Sequence, residues 1–133
     1  MASGFTTATR NSVLDDLFYT PTVYLALCTS DPGDVADMSE HEVAAAFAYA
    51  RTAVQFNTVA DAGSISNDAA CTFAAANGGA WGLISHAAIC VADVEDVDDA
   101  IMTGGLTTPK QIDDTDQIIF PIGGVTASIA VQA

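Results

Sequence analysis

The sequence predicts a mainly β protein: a single-domain antiparallel β-sandwich of about seven strands with one short N-terminal helix, over residues 1–133. Three observations carry this. Short apolar runs are separated by clusters of Gly, Pro, Asp, Asn and Ser, several of them alternate with period two, and no strand–helix–strand alternation marks a parallel sheet.

The helix is expected around residues 8–19. Val13, Leu14, Leu17 and Phe18 recur at helical spacing, Thr7 or Thr9 can cap the start, and Pro21 follows the end. Thr22–Thr29 (TVYLALCT) is apolar on both faces and reads as a central, covered strand. Ser30-Asp31-Pro32-Gly33-Asp34 ends it, because Pro fixes φ and Gly permits positive φ, and a polar loop runs to about His41. Glu42–Ala50 is ambiguous between the helix propensity of Ala44-Ala45-Ala46 and the alternation that follows; strand is expected from about Tyr49 through Phe56.

Ala69–Ala74 and Trp81–Val91 flank an Asn77-Gly78-Gly79 turn, and the second run should turn Trp81, Leu83, Ala87, Ile89 and Val91 to the core. Ile101–Thr107 follows an acidic loop at Asp93–Asp99, and Pro109 and Asp113–Asp116 break the chain again. Val125, Ala127, Ile129 and Val131 alternate with Thr126, Ser128, Ala130 and Gln132, a half-buried final strand.

Seventeen acidic residues stand against Arg10, Arg51 and Lys110, giving a net charge of −14, a pI near 4.1 and, with a mean hydropathy of +0.35, an acidic surface on an apolar core. Nucleic acid and anionic membranes are excluded as partners, since both are held by clustered Lys and Arg. In molar salt the Debye length is about 3 Å, so the self-repulsion is screened while hydrated carboxylates keep the protein soluble. The near-absence of Lys and the excess of Asp resemble the proteins of extreme halophiles. No basic segment precedes an apolar one at the start, so no signal peptide and a cytoplasmic site of synthesis are expected. The uncharged stretch Ala69–Ala92 is interrupted by Asn77-Gly78-Gly79, Ser85 and His86 and fits two strands better than a membrane span.

The chain carries no pattern for catalysis. Ser85-His86 is the one hydroxyl–imidazole neighbour pair, and adjacent strand residues point to opposite faces. Gly78-Gly79, Gly104-Gly105 and Gly123-Gly124 lack the lysine or spacing of a phosphate cradle and read as turns or bulges. With only His41 and His86, a transition-metal site is poorly supplied, and His86 reads as an interior strand histidine. In the acidic loop Asp93, Glu95 and Asp96 are the candidate ligands for a divalent cation, joined by Asp98 and Asp99. The EF-hand spacing fails at Val97 and the loop glycine is missing, which favours a solvated loop with at most loosely bound cations. No catalytic residue and no cofactor are expected; a small hydrolase of the host envelope is the enzymatic alternative. Cys28, Cys71 and Cys90 each sit in apolar sequence and read as buried free thiols. Trp81 reads as a core residue, with an interface anchor as the alternative.

Over nearly its whole length the chain resembles small phage structural proteins described as tail-fibre, head-fibre or capsid-decoration proteins. The similar segments are TVYLALCTSDPGD at Thr22–Asp34, Glu42-Val43 with Tyr49-Ala50-Arg51, Ser66-Asn67 leading to Phe73-Ala74-Ala75-Ala76, and Trp81-Gly82. His86-Ala87-Ala88-Ile89, GGLTTPK at Gly104–Lys110 and Pro121–Thr126 complete them. Where such proteins have a glycine-containing turn, this chain has Asp93–Asp99. The resemblance implies a non-catalytic virion component of a tailed virus, with a halophilic and archaeal host indicated by the acidity. The leading expectation is a capsid decoration or turret protein, a symmetric homo-oligomer on the major capsid protein; the alternative is a tail-fibre or host-surface-binding subunit among tail proteins.

Overall fold

The structure, a computed structural model, describes residues 4–129. It is mainly β, with eight strands in antiparallel sheets among the described residues and one short helix near the start, as the sequence predicts. The described residues form two compact units: one from residues 4–22, 54–71 and 120–129, the other from 23–53 and 72–119.

In the first unit, helix α1 (Thr7–Leu14) continues as a wider π-helical turn over Asp15–Tyr19, closed by Thr20 N–H on the Asp15 carbonyl at 2.9 Å. The cap is Thr6, one residue before the predicted candidates: its backbone is extended and its Oγ1 accepts from Thr9 N at 3.3 Å. Arg10, Leu14 and Phe18 form the buried stripe, and the Phe18 ring lies 5.5 Å from Phe56. Asn11 Oδ1 accepts from Gly63 N at 2.8 Å and Asp15 Oδ1 from Ala60 N at 2.7 Å, so polar helix side chains hold residues 60–63. Gly63 is required there: its φ is +76° and a Cβ would stand 2.6 Å from Arg10 Nε. Strands β3 (Ser64–Ser66) and β8 (Thr126–Ser128) pair antiparallel with Ile65 opposite Ala127, both buried, and Ser66 bonded to Thr126 outside at 2.8 Å. This is the final half-buried strand read from the alternation; Val131 lies outside the described residues.

The second unit is built on a four-stranded sheet in the order β2-β1-β5-β6, from β1 (Val23–Cys28), β2 (Thr52–Val54), β5 (Gly82–Cys90) and β6 (Ala100–Ile112). β4 (Cys71–Thr72) and β7 (Ile119–Phe120) form a separate short ladder. β1 is central and almost wholly buried, as its two apolar faces require. Ala26, Cys28, Ala88 and Cys90 make a core of small side chains, over which one helical turn, α2 (Met38–His41), lays the fully buried Met38. Residues 38–41 are therefore not merely the polar loop expected.

Three further expectations are corrected. Strand begins at Thr52 rather than Tyr49, because Phe47 and Ala48 take positive φ (55° and 68°) and turn the chain. The segments around Asn77–Gly79 do not pair with each other: β4 pairs with β7, and β5 with β1 and β6. In β5 the buried set is Ile84, Ala88, Ile89 and Cys90, whereas Leu83 and Val91 are exposed. The reason is Gly82, whose φ of +96° puts Trp81 out of phase with the strand that follows.

Candidate functional site

The most concentrated polar chemistry lies inside the second unit, around Glu42, Tyr49, Arg51 and Asp99. Glu42 sits beside the end of β1, where it bridges Cys28 and the next residue, Val43, donates its N–H to the Leu27 carbonyl at 3.0 Å. Arg51 immediately precedes β2, and Asp99 immediately precedes β6. The Arg51 and Glu42 side chains have no exposed area.

The guanidinium donates all five of its N–H bonds. Nε and Nη2 engage Glu42 Oε2 and Oε1 at 3.0 and 2.9 Å; Nη1 reaches Asp99 Oδ1 at 2.8 Å and the Ala92 carbonyl at 3.0 Å; Nη2 also reaches the Val97 carbonyl at 2.9 Å. Glu42 accepts in addition from Tyr49 Oη at 2.6 Å and from Asp96 N at 3.0 Å, and Tyr49 Oη accepts from Leu27 N at 3.0 Å. Asp99 Oδ2 takes the Ala92 N–H at 2.7 Å, and Asp98 Oδ1 takes the Met38 N–H at 2.8 Å. Burial, then the charge and hydrogen bond of Glu42, push the Tyr49 phenol up, so it stays a neutral donor. Burial opposes the Arg51 charge, but hydrogen bonds to Glu42 and Asp99 outweigh it and the guanidinium pKa is raised.

This cluster fastens the acidic loop to the sheet. Asp99 and Asp98 are anchors, not members of the freely solvated loop expected from sequence, because a buried cation stands within reach of the loop's end. Of the candidate cation ligands, Asp93 and Asp96 are exposed and Glu95 is half-buried. Among the described residues no group of three or more His, Cys, Asp or Glu side chains is placed to hold a metal ion.

The hydroxyl–imidazole pairs end without a third member. Ser85 Oγ does reach His86 Nδ1, at 2.8 Å, contrary to the opposite-face expectation. Pairing slips here: Ile84 faces Lys110 and His86 faces Gly105, so Leu106–Pro109 bulge out opposite Ser85 and regular alternation fails. His86 is half-buried over Gly105. The fold brings a second pair together, Ser30 Oγ and His41 Nδ1 at 2.6 Å. Among the described residues no carboxylate bonds either imidazole, so neither pair has the orienting acid of a hydrolytic triad. Among the described residues Cys28, Cys71 and Cys90 form no disulfide and are buried, and burial first of all raises their thiols to about 12, 11 and 12, which keeps them protonated and unreactive. Trp81 is a core residue whose Nε1 donates to the Phe47 carbonyl at 3.0 Å, with Tyr49 edge-on at 5.4 Å.

Asn67, 1 % exposed, does comparable work in the first unit: its Nδ2 donates to the Ala69 and Pro121 carbonyls at 2.9 and 3.0 Å, and its Oδ1 accepts from Val125 N at 2.9 Å. Sequence reasoning gave no role to Glu42, Tyr49 or Asn67. The available signal was Arg51, one of three basic residues and set in the apolar run Tyr49–Phe56, where a cation needs a buried carboxylate.

No described helix is long and apolar enough to cross a membrane. No curated protein matches the chain. The family described as Podophage GP4 fiber I protein gp80 matches residues 4–128, nearly the whole sequence. A polar interior consumed by internal bonds suits a structural part of a virus particle, and the chain belongs to this family of phage fibre proteins.

Proposed function

We propose that the chain is a non-catalytic fibre subunit on the outside of a tailed-virus particle, built to work in concentrated salt and to contact the host surface. The observation that carries this reading is the fibre-family match over residues 4–128. The geometry supports it: the buried ionisable cluster is used up by internal hydrogen bonds, and neither serine–histidine pair has an acid partner. The excess of 17 acidic over 3 basic residues supports a halophilic, archaeal host. Neutralising partners are scarce, so the surface repels itself wherever salt does not screen it.

Copy number in purified particles tests the location. A count on the order of a dozen places the subunit at the tail, as symmetric assemblies there require. Hundreds would place it on the head as a decoration or turret protein on the major capsid protein, and absence from particles overturns both. Circular dichroism tests the salt reading. The fold is expected to be lost on dilution below about 1 M salt, where the Debye length grows beyond about 3 Å. An unchanged spectrum in dilute buffer refutes it.

A further inference from the structure

We infer that β6 is the surface through which two copies of this chain associate, by antiparallel pairing of the edge strand with its counterpart. β6 closes one side of the sheet and, among the described residues, has β5 as its sole strand neighbour. It runs for 13 residues, while the opposite edge strand, β2, has only 3. The β5 ladder uses one row of its backbone groups; apart from it, the described backbone bonds of the strand are at its extreme end, where Ile112 accepts from Trp81 N. The other row faces solvent, and Thr103, Gly104, Gly105 and Thr107 are exposed. Such a row is a template for a further strand.

Charge selects the occupant. Soluble proteins commonly guard a long edge with charged side chains, and this chain has 17 acidic residues to spend. None falls within Ala100–Ile112, although acidic groups stand on both sides, at Asp98 and Asp99 and at Asp113 and Asp114. At the flanks of β6 a second copy of net charge −14 meets carboxylates like its own; along β6 itself it meets Thr, Gly, Met and a single Lys. The contact is bounded. Slips in pairing at Ile101 and at Leu106–Pro109 bend the strand away at both ends, leaving Met102–Gly105 as the straight segment. Gly104 and Gly105 add no side-chain bulk there: a Cβ at Gly104 would meet nothing within 4 Å. Two such segments about a two-fold axis bury only a few ladder bonds, so the pairing is reversible and tightens as salt screens the remaining charge.

The test is sedimentation equilibrium of the full chain across protein concentrations in about 1 M salt, where the Debye length is about 3 Å. A monomer–dimer equilibrium is expected, with amide exchange at residues 102–105 slowing as dimer forms. T103E/T107E puts two carboxylates into the paired segment and two more beside it and should weaken association at least about tenfold, since like charges facing each other across an interface oppose it strongly. T103S/T107S, which keeps the hydroxyls, should associate like the parent and shows that substitution at these sites does not itself unfold the chain. A monomer at all concentrations up to millimolar overturns the proposal, as does a dimer indifferent to the glutamates or one without protection at 102–105. None of these results bears on copy number in the particle, so the fibre reading stands or falls separately.

Discussion

Replacing Arg51 by leucine should remove much of the stability of the second unit. The side chains of Arg51 and Glu42 are both fully buried, so the substitution leaves a carboxylate without its cation and with only the Tyr49 hydroxyl and the Asp96 amide as donors. Two lines give the size. A charge pair about 4 Å apart at an effective dielectric of about 20 is worth about 4 kcal/mol. Deleting one member of a buried pair costs about 3–5 kcal/mol. The carbonyls of Ala92 and Val97 also lose their donor, so the upper part of that range is expected. Against a total of about 5–15 kcal/mol this is a major loss. Urea unfolding in molar salt reads it, with Trp81 fluorescence as the probe because Trp81 packs against Tyr49. The double variant E42L/R51M removes both charges and should be less destabilised than R51L, because no ion is left buried alone. The reasoning is refuted if R51L lies within about 1 kcal/mol of the parent, inside the range of ordinary surface changes, or if the double variant loses as much as the two single changes combined.

Thiol ionisation should make the protein base-labile. Thiols that titrate near 9.0 when unfolded and at about 11–12 when folded leave stability flat below pH 9. Above it stability falls, by about 1.4 kcal/mol per pH unit for each thiol, until the folded values are reached; a thiol reagent at pH 8 should label none of them until the chain is unfolded, and equal stability at pH 8 and 11 would contradict this. Asn67→Leu should cost about 1–3 kcal/mol for each backbone group it strands and speed amide exchange at Val125, whose N–H loses its buried acceptor; unchanged exchange there would remove Asn67 from its proposed role. D93N/E95Q/D96N should lower the salt needed for folding and leave high-salt stability alone, whereas D99N should weaken the protein at every salt concentration; equal salt midpoints for the triple variant and the parent would refute the division.

Much of the fold was legible because it rests on local pattern. β1 is apolar on both faces and lies centrally, β8 alternates, and the helix shows its Leu14–Phe18 stripe. The misreadings share a cause, which is backbone geometry that side-chain pattern does not encode. Consecutive positive φ at Phe47 and Ala48 delays β2, the φ of Gly82 resets the phase of β5, and pairing slips opposite Leu106–Pro109, where Ser85 and His86 come within hydrogen-bond reach. The buried cluster was illegible for another reason. Glu42, Arg51 and Asp99 occupy ordinary positions singly, and β2 and β6 lie at opposite edges of the sheet; only the folding of residues 92–99 over Arg51 brings Asp99 to it, across 48 positions of sequence.

The acidic residues divide by what they touch. Among the described residues Asp15, Asp31, Glu42, Asp68, Asp98, Asp99, Asp114 and Asp116 accept hydrogen bonds from backbone N–H groups and so act as fixtures of loops. A carboxylate so engaged stabilises whether or not salt is present, since its partner is a nearby amide and the bond is charge-assisted. Asp93, Glu95 and the Asp96 side chain project from a loop already fastened through Asp98, Asp99 and the Asp96 amide. Their charges add repulsion that only screening relieves. The salt dependence proposed above therefore falls on carboxylates of this second kind and not on acidity as a whole. The same division bears on β6, whose exposed row lies between fastened carboxylates and carries none of its own. A long strand edge that carries one Lys and no carboxylate is open to pairing, and the proposed partner, another β6, brings no carboxylate to it.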